Sequence, residues 1–224
     1  MSAPTITVDA STADPLAELW FVEPPGFLPL PLDALLPGPD SLAGDRLRAA
    51  AAPLVDTAPD EASRQQFIAA FATGQQLLAA LREVGTVHCS VGLHRDDVSG
   101  AGGHGGAVVA GPLFSLFTIS WRETAPAPRG VTAARAVTAV GGHTGVEFVE
   151  LPAGPAAFSE STSTPGSGSG LPRRPLLQVH AHLPHPDCRR LAVLTLTTTA
   201  PARREEYRAI LRAIAESVSF ESPG

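Results

Sequence analysis

Residues 176–220 read LLQVHAHLPHPDCRRLAVLTLTTTAPARREEYRAILRAIAESVSF and carry the most regular patterning in the chain. Apolar and polar residues alternate over the first eight positions, as they do in a half-buried β-strand. The apolar set is Leu177, Val179, Ala181 and Leu183. A polar, proline-containing connection at 184–190 leads into a β-branched and leucine run at 191–199. The pattern predicts two strands joined by a tight turn.

A helix is predicted to follow this hairpin at residues 202–218. Its apolar side chains recur at three- and four-residue steps and form one stripe, as expected of a helix that packs on a sheet. The stripe consists of Tyr207, Ile210, Leu211, Ile214 and Val218.

The upstream sequence predicts further elements of the same domain. A helix begins near Thr57, where Thr57 and Asp60 have the spacing of a capping box, and it ends at Gly85. Strands are predicted at 86–93, 107–121, 131–140 and 146–151, with a glycine hairpin loop at 141–145 before the last of them. Residues 1–15 are predicted to be disordered, and the linker-like residues 152–170 to be a flexible insertion. The fold class is therefore α+β, a single domain at 16–220 with an antiparallel meander of five or six strands and helices packed on it.

The segment WFVEPPGFLPLPL at residues 20–32 is apolar but contains four prolines. Proline removes a backbone donor and fixes φ, so this segment cannot be a central strand or a helix interior. We expect an extended segment laid over the core and anchored by Trp20, Phe21, Phe27 and Leu30. The alternative is an exposed docking surface, in which Trp20 and Phe27 would contact a partner.

Composition excludes several classes of protein. The formal net charge of −6 argues against a general nucleic-acid-binding protein. No apolar run is long enough to span a membrane, and the acidic N-terminus lacks the apolar core of a secretory signal. Two cysteines make no disulfide framework, so Cys89 and Cys188 are predicted to be free thiols and the protein to be cytoplasmic. The absence of lysine and asparagine indicates a GC-rich, bacterial genome.

The C-terminal motifs resemble the PsbP-like and LpqN-like α/β/α sandwich families. The similarity lies in HAHLPHPDCRRLAVLTLTTTAP followed by YRAILRAIAESVSF, and it extends over residues 86–220. The long proline-containing N-terminus and the absence of a lipoprotein cysteine depart from that pattern. The tryptophan and Pro-Pro-Gly-Phe opening is also similar to actinobacterial proteins, some of them near type VII secretion genes. The resemblance implies a binding or assembly subunit rather than an enzyme.

One group of residues has the composition of a metal site. Two histidines at i and i+2 of a strand point to the same face, and the turn that follows could bring a third histidine and a cysteine round to them. The set is His180, His182, His185 and Cys188. Zinc is the metal that these ligands would hold, in a zinc-binding protein or a hydrolase. The alternative is a half-exposed strand face followed by an ordinary Pro-Asp turn.

Two arginine pairs flank the predicted hairpin in the sequence. Arg173-Arg174 precede its first strand and Arg203-Arg204 follow its second, so both pairs share one end. Positive charge in the first turn of a helix opposes the helix dipole, so this end could recognise an anionic partner. Pairing of these arginines with Glu205, Glu206 or the acidic N-terminal segment is the alternative.

These observations predict a non-enzymatic protein that binds a protein partner or serves as an adaptor, with a possible association with a secretion system. The predicted contact residues are Arg173, Arg174, Arg203, Arg204, Trp20 and Phe27. No cofactor is expected unless the histidine-rich turn binds zinc.

Overall fold

The computed structural model consists of a seven-stranded antiparallel sheet with helices on both faces. It describes residues 7–8, 18–30, 60–94, 113–139, 141–164 and 175–221, with single positions 32, 36, 42, 45 and 49. The strands of this sheet are β3 (Phe27–Pro29), β4 (Thr86–His94), β5 (Leu113–Glu123), β6 (Thr144–Leu151), β7 (Gly154–Ser163), β8 (Leu176–Pro184) and β9 (Arg190–Thr198). The short strands β1 (Thr7–Val8) and β2 (Val22–Glu23) pair separately. The helices are α1 (Glu61–Glu83), α2 (Arg129–Thr138) and α3 (Arg204–Glu216), and the 3₁₀ turn Pro201–Arg203 precedes α3.

The strand order in the sheet is β3-β4-β5-β9-β8-β7-β6. The α+β class and the antiparallel sheet are confirmed, but the sheet is not one continuous meander. β6 to β9 form a four-stranded meander whose last strand pairs with β5, so the closing hairpin lies at the centre of the sheet. Its register pairs His180 with Thr195 and His182 with Val193.

The hydrophobic core lies between one face of the sheet and α3. Alternate residues of the central strands point to this face, which we call the core face, because side chains alternate along a strand. The core-face residues of β5, β8 and β9 include Phe117, Ile119, Leu177, Val179, Leu194 and Leu196, all at most 1% exposed. Tyr207, Leu211 and Ile214 of α3 pack on them, as the apolar stripe of the predicted closing helix requires.

Two predicted elements are wrong. The strand predicted at 131–140 is helix α2, and the loop before β6 therefore joins a helix to a strand. Ala133 and Val137 lie one helical turn apart and are buried against Ala157 of β7. Packing on the sheet therefore stabilises a helix here, although the β-branched residues of the segment favour a strand. Pro128 immediately before the helix suits its start, since proline has no amide donor to satisfy there.

The predicted flexible insertion at 152–170 contains the regular strand β7. Its serines alternate with Ala156 and Phe158, which point to the core face and are buried. The remaining part of that insertion, residues 165–170, lies outside the described residues. Within the described residues, no helix has the length and apolarity needed to cross a membrane.

Candidate functional site

A cavity of about 970 Å³ lies on the sheet face opposite the core. Side chains of β5, β9 and β8 form its floor, Leu81 and Val84 at the end of α1 line one side, and Ala136 and Ala139 of α2 line the other. We call this cavity the trough. It exists because α2 covers only β7 and β8, while α1 contacts β4, so the centre of the sheet is left uncovered by these two helices.

The polar groups of the trough floor mostly satisfy one another. Oγ1 of Thr86 lies 2.9 Å from Oγ of Ser120. Nδ1 of His180 lies 3.0 Å from Oγ1 of Thr195, and Nε2 of Gln178 lies 3.4 Å from Oγ1 of Thr197. A molecule in the trough would therefore contact methyl groups and polar groups that already have a partner in the protein, in addition to the apolar floor residues Leu116, Leu191 and Val193.

Three histidines meet at the α2 side of the trough. His180 and His182 project from β8, and His143 comes from the loop between α2 and β6. The His143 ring stands edge-on to the other two, with ring centroids 5.3 Å from His180 and 5.9 Å from His182. The outer face of β8 was expected to be exposed, but His182 is only 5% exposed because α2 packs on this half of the sheet.

Ser159 of β7 connects two of these histidines. Its Oγ lies 3.0 Å from Nδ1 of His143 and 3.3 Å from Nε2 of His182. Since a hydroxyl has one proton, Ser159 donates to one imidazole and accepts from the other, so the tautomers of His143 and His182 are coupled. Nδ1 of His182 is buried and has no hydrogen-bond partner among the described residues.

The two β8 histidines, His180 and His182, are held neutral. Burial lowers the pKa of His180 to about 4, and the neighbouring His143 lowers it further. Burial likewise lowers the pKa of His182 to about 3, with additional contributions from His180 and His143. Desolvation disfavours the charged imidazolium, and three adjacent rings would repel one another if protonated. At neutral pH both β8 histidines are therefore uncharged.

The predicted zinc ligands are not brought together. His180 and His182 line the trough, whereas the His185 ring lies 4.9 Å from Phe220 and 5.6 Å from Trp121, and its Nδ1 pairs with Asp187. Cys188 lies in the turn, where its thiol contacts the carbonyl of Pro186. Within the described ranges, no group of three or more His, Cys, Asp or Glu side chains is arranged to hold a metal ion. Prolines at 184 and 186 and the pairing of His185 with Asp187 keep the turn from folding back on the strand.

The predicted partner-binding arginines have intramolecular partners where they are described. Nη1 of Arg203 lies 3.5 Å from Glu206, as the ion-pair alternative expects. Nε of Arg204 lies 3.1 Å from the buried carboxylate of Glu160, on the core face. Arg173 and Arg174 lie outside the described residues. A role of this end in partner binding stays a prediction.

The N-terminal aromatic residues cover the core. Trp20 is 7% exposed and bridges Ser219, while Phe27 is partly buried against the core cluster. These positions agree with core cover, the first of the two interpretations of this segment.

The free cysteines are as expected. Cys89 is buried and Cys188 is half-buried, and neither forms a disulfide. Burial raises the pKa of the Cys89 thiol to about 11, with a smaller contribution from Glu23, so this cysteine is not a reactive thiolate.

Sequence reasoning missed His143, Ser159 and Arg122, all of which belong to the trough or its histidine cluster. His143 lies in a glycine loop that was expected to be an ordinary hairpin turn, and Ser159 in a segment expected to be flexible. The predicted strand ended at residue 121, one residue before Arg122. Its alternation, continued by one position, places Arg122 on the same face as Thr118 and Ser120, so the sequence did contain this signal.

Comparisons of the chain with protein-family models, with curated proteins and with solved structures find no match.

Proposed function

We propose that this protein is a binding protein and that the trough is its site for an elongated, largely apolar organic molecule. The observation that carries this proposal is the cavity of about 970 Å³ floored by β5, β9 and β8 and flanked by α1 and α2. Small-molecule sites are typically concave, about 300–1,000 Å³ in volume, and lined by apolar groups with a few polar ones. The trough lies at the upper end of that range.

The chemistry of the floor favours a small apolar ligand over an extended peptide. A peptide carries backbone donors and acceptors along its whole length, and each needs a partner when it is buried. The hydroxyl, amide and imidazole groups of the floor are largely occupied by one another, as in the His180–Thr195 and Thr86–Ser120 pairs. An apolar body brings no donors or acceptors of its own that this surface would have to satisfy.

The histidine cluster supports binding rather than catalysis. Ser159 is fully buried, so its hydroxyl cannot reach a substrate in the trough. In a Ser-His-Asp site a carboxylate orients the histidine, and none of the described acidic residues contacts His143 or His182. The PsbP-like and LpqN-like resemblance implies the same class of function. The cytoplasmic location, the protein partner and the link to secretion stay predictions from the sequence.

Titration with the neutral, solvatochromic dye Nile red tests this proposal. We expect saturable binding to the wild-type protein. The Val193→Trp variant should bind at least tenfold more weakly, because an indole that projects from the floor obstructs the surface on which the ligand lies. The matched control is Val146→Trp on β6, whose side chain is 43% exposed and does not line the trough.

Urea unfolding of both variants separates blocked binding from loss of the fold. The proposal fails if wild-type protein shows no saturable binding. It also fails if a folded Val193→Trp protein binds the dye as well as the Val146→Trp control does.

A further inference from the structure

We infer that the ligand of the trough is an amphiphilic acid, whose carboxylate is bound by Arg122 and whose apolar body extends over the floor of β5 and β9. This inference rests on the proposed function of the trough and specifies the chemical class of its ligand.

The first argument is the distribution of charge. The side chains that line the middle of the trough are neutral hydroxyl, amide, imidazole and aliphatic groups. Among the lining residues only Arg122 and Glu123 carry a formal charge, and both lie at the end of β5. A ligand with a charged group in its centre would leave that charge desolvated without a partner, whereas a charged group at its end would lie beside Arg122.

The second argument is the state of Arg122. Its guanidinium forms no ion pair with any residue in the described part of the chain, and the residue is exposed. Most other arginines of the sheet and its helices are paired: Arg204, Arg208, Arg212 and Arg190 each contact a carboxylate. Arginine presents a planar fork of donors that matches a carboxylate. An external carboxylate can therefore bind Arg122 without displacing an acidic side chain on the same face of β5.

Glu123 lines the same end of the trough, but it forms no ion pair with Arg122. It is the next residue of β5, so its side chain starts on the opposite face of the strand. Its cross-strand partner is Arg190, whereas the partner of Arg122 is the apolar Leu191. Arg122 is therefore flanked by apolar surface on the trough side.

The third argument is the uncharged, partly apolar surface that leads away from Arg122. Leu116 lies six residues before Arg122 on the same face of β5, about 20 Å away at ~3.3 Å per residue. On β9, Leu191 and Val193 lie opposite Arg122 and Ser120, and the hydroxyl residues Thr118 and Thr195 separate them from Leu116. Leu81 and Val84, at the end of α1, line one side of this surface. A single charged end and a long apolar body match this arrangement.

Three competitors with the same twelve-carbon chain test the inference by displacing Nile red: dodecanoate, methyl dodecanoate and dodecyltrimethylammonium. The two ions are used below their micelle concentrations and the ester below its solubility limit. We expect dodecanoate to bind wild-type protein at least fivefold more tightly than the neutral ester, and the cation to bind most weakly. Arg122→Gln should remove the preference for the acid and leave the affinity for the ester unchanged. Arg122→Glu should reverse the order of acid and cation.

The matched control is Arg189→Gln, since Arg189 is exposed in the β8–β9 turn and does not line the trough. It should keep the wild-type preference. The inference is overturned if the three competitors bind equally, or if Arg122→Gln retains the preference for dodecanoate. Absence of saturable Nile red binding before any competitor is added would instead contradict the proposed function itself.

Discussion

Ser159 determines the hydrogen-bonding state of two histidines that come from different parts of the chain. His182 belongs to the central hairpin, while His143 lies in the loop that leaves α2. Ser159 contacts both, and its single proton couples their tautomers. The next residue of β8 on the same face, His180, is held by Ser161 and Thr195 on the two flanking strands. Each β8 imidazole is thus positioned by hydroxyl groups of its neighbours and carries no charge at neutral pH.

The lowered pKa values of His180 and His182 predict how stability depends on pH. Both groups titrate near pH 6.5 when unfolded, and at about 4 and 3 in the folded protein. Between these values the unfolded chain binds protons that the folded protein does not. The free energy of unfolding should therefore fall as the pH is lowered from 6.5 towards 4, by up to about 1.4 kcal/mol per pH unit for each histidine.

Urea unfolding at pH 7, 6 and 5 measures this slope. His182→Gln should make the slope shallower, because one of the two protons no longer contributes. The comparison concerns the slope and not the absolute stability, since glutamine also alters the contact with Ser159. Equal slopes in the variant and the wild type would show that burial of His182 is not linked to folding in this way.

At the scale of elements, helix α3 is joined to the sheet by a ladder of ion pairs as well as by apolar packing. Nη1 of Arg208 donates to Oε1 of Glu160 at 2.6 Å, and Arg204 binds the other carboxylate oxygen. Arg208 and Arg212 both contact Glu147 on the edge strand β6. The side chain of Glu160 is only 4% exposed, so its charge depends on these arginines.

Replacement of Glu160 by glutamine should lower the free energy of unfolding by about 2 kcal/mol, because it breaks a buried pair whose arginine partners remain partly exposed. The matched control is Glu206→Gln, where the carboxylate is 57% exposed and lies 3.5 Å from Arg203. An exposed pair of this kind contributes little, so the control should stay within about 0.5 kcal/mol of wild type. Similar losses in both variants, measured by urea unfolding, would contradict the structural role of the ladder.

Alternation and helical periodicity predicted the closing hairpin and α3 to within two residues at each boundary, because both elements bury one face on the same core. The same logic failed for α2 and β7. The composition of this segment favours a strand, since it contains the β-branched residues Val131, Thr132, Val137 and Thr138. The segment is nevertheless a helix, because a helix buries Ala133 and Val137 against β7. The serines and threonines of β7 are typical of a linker, yet Ser159 and Ser161 are hydrogen-bond partners of β8 histidines. These contacts depend on which strands are neighbours.

The trough could not be predicted for the same reason. His143 and His182 are 39 residues apart, and their meeting depends on α2 lying over β7 and β8. The sequence correctly placed His180 and His182 on one face of β8. It wrongly grouped His185 and Cys188, from the following turn, with these two histidines in one metal site. Proximity along the chain was a poor guide to proximity in space.

At the scale of the whole molecule, the two faces of the sheet have different roles. The core face carries the apolar side chains of the central strands and is covered by α3. The opposite face is covered only in part by the described helices, and its open centre is the trough. The same strands therefore present packed leucines on one side and a potential binding surface on the other.

Methyl-detected NMR during titration with dodecanoate distinguishes these faces directly. We predict that the methyl resonances of Leu116, Leu191 and Val193 shift saturably, since these side chains line the trough. The resonances of Leu194 and Leu196, on the same β9 strand but buried under α3, should stay in place. Shifts confined to the edge-strand residue Val146, or the absence of any saturable shift on the trough floor, would contradict a binding site on this face of the sheet.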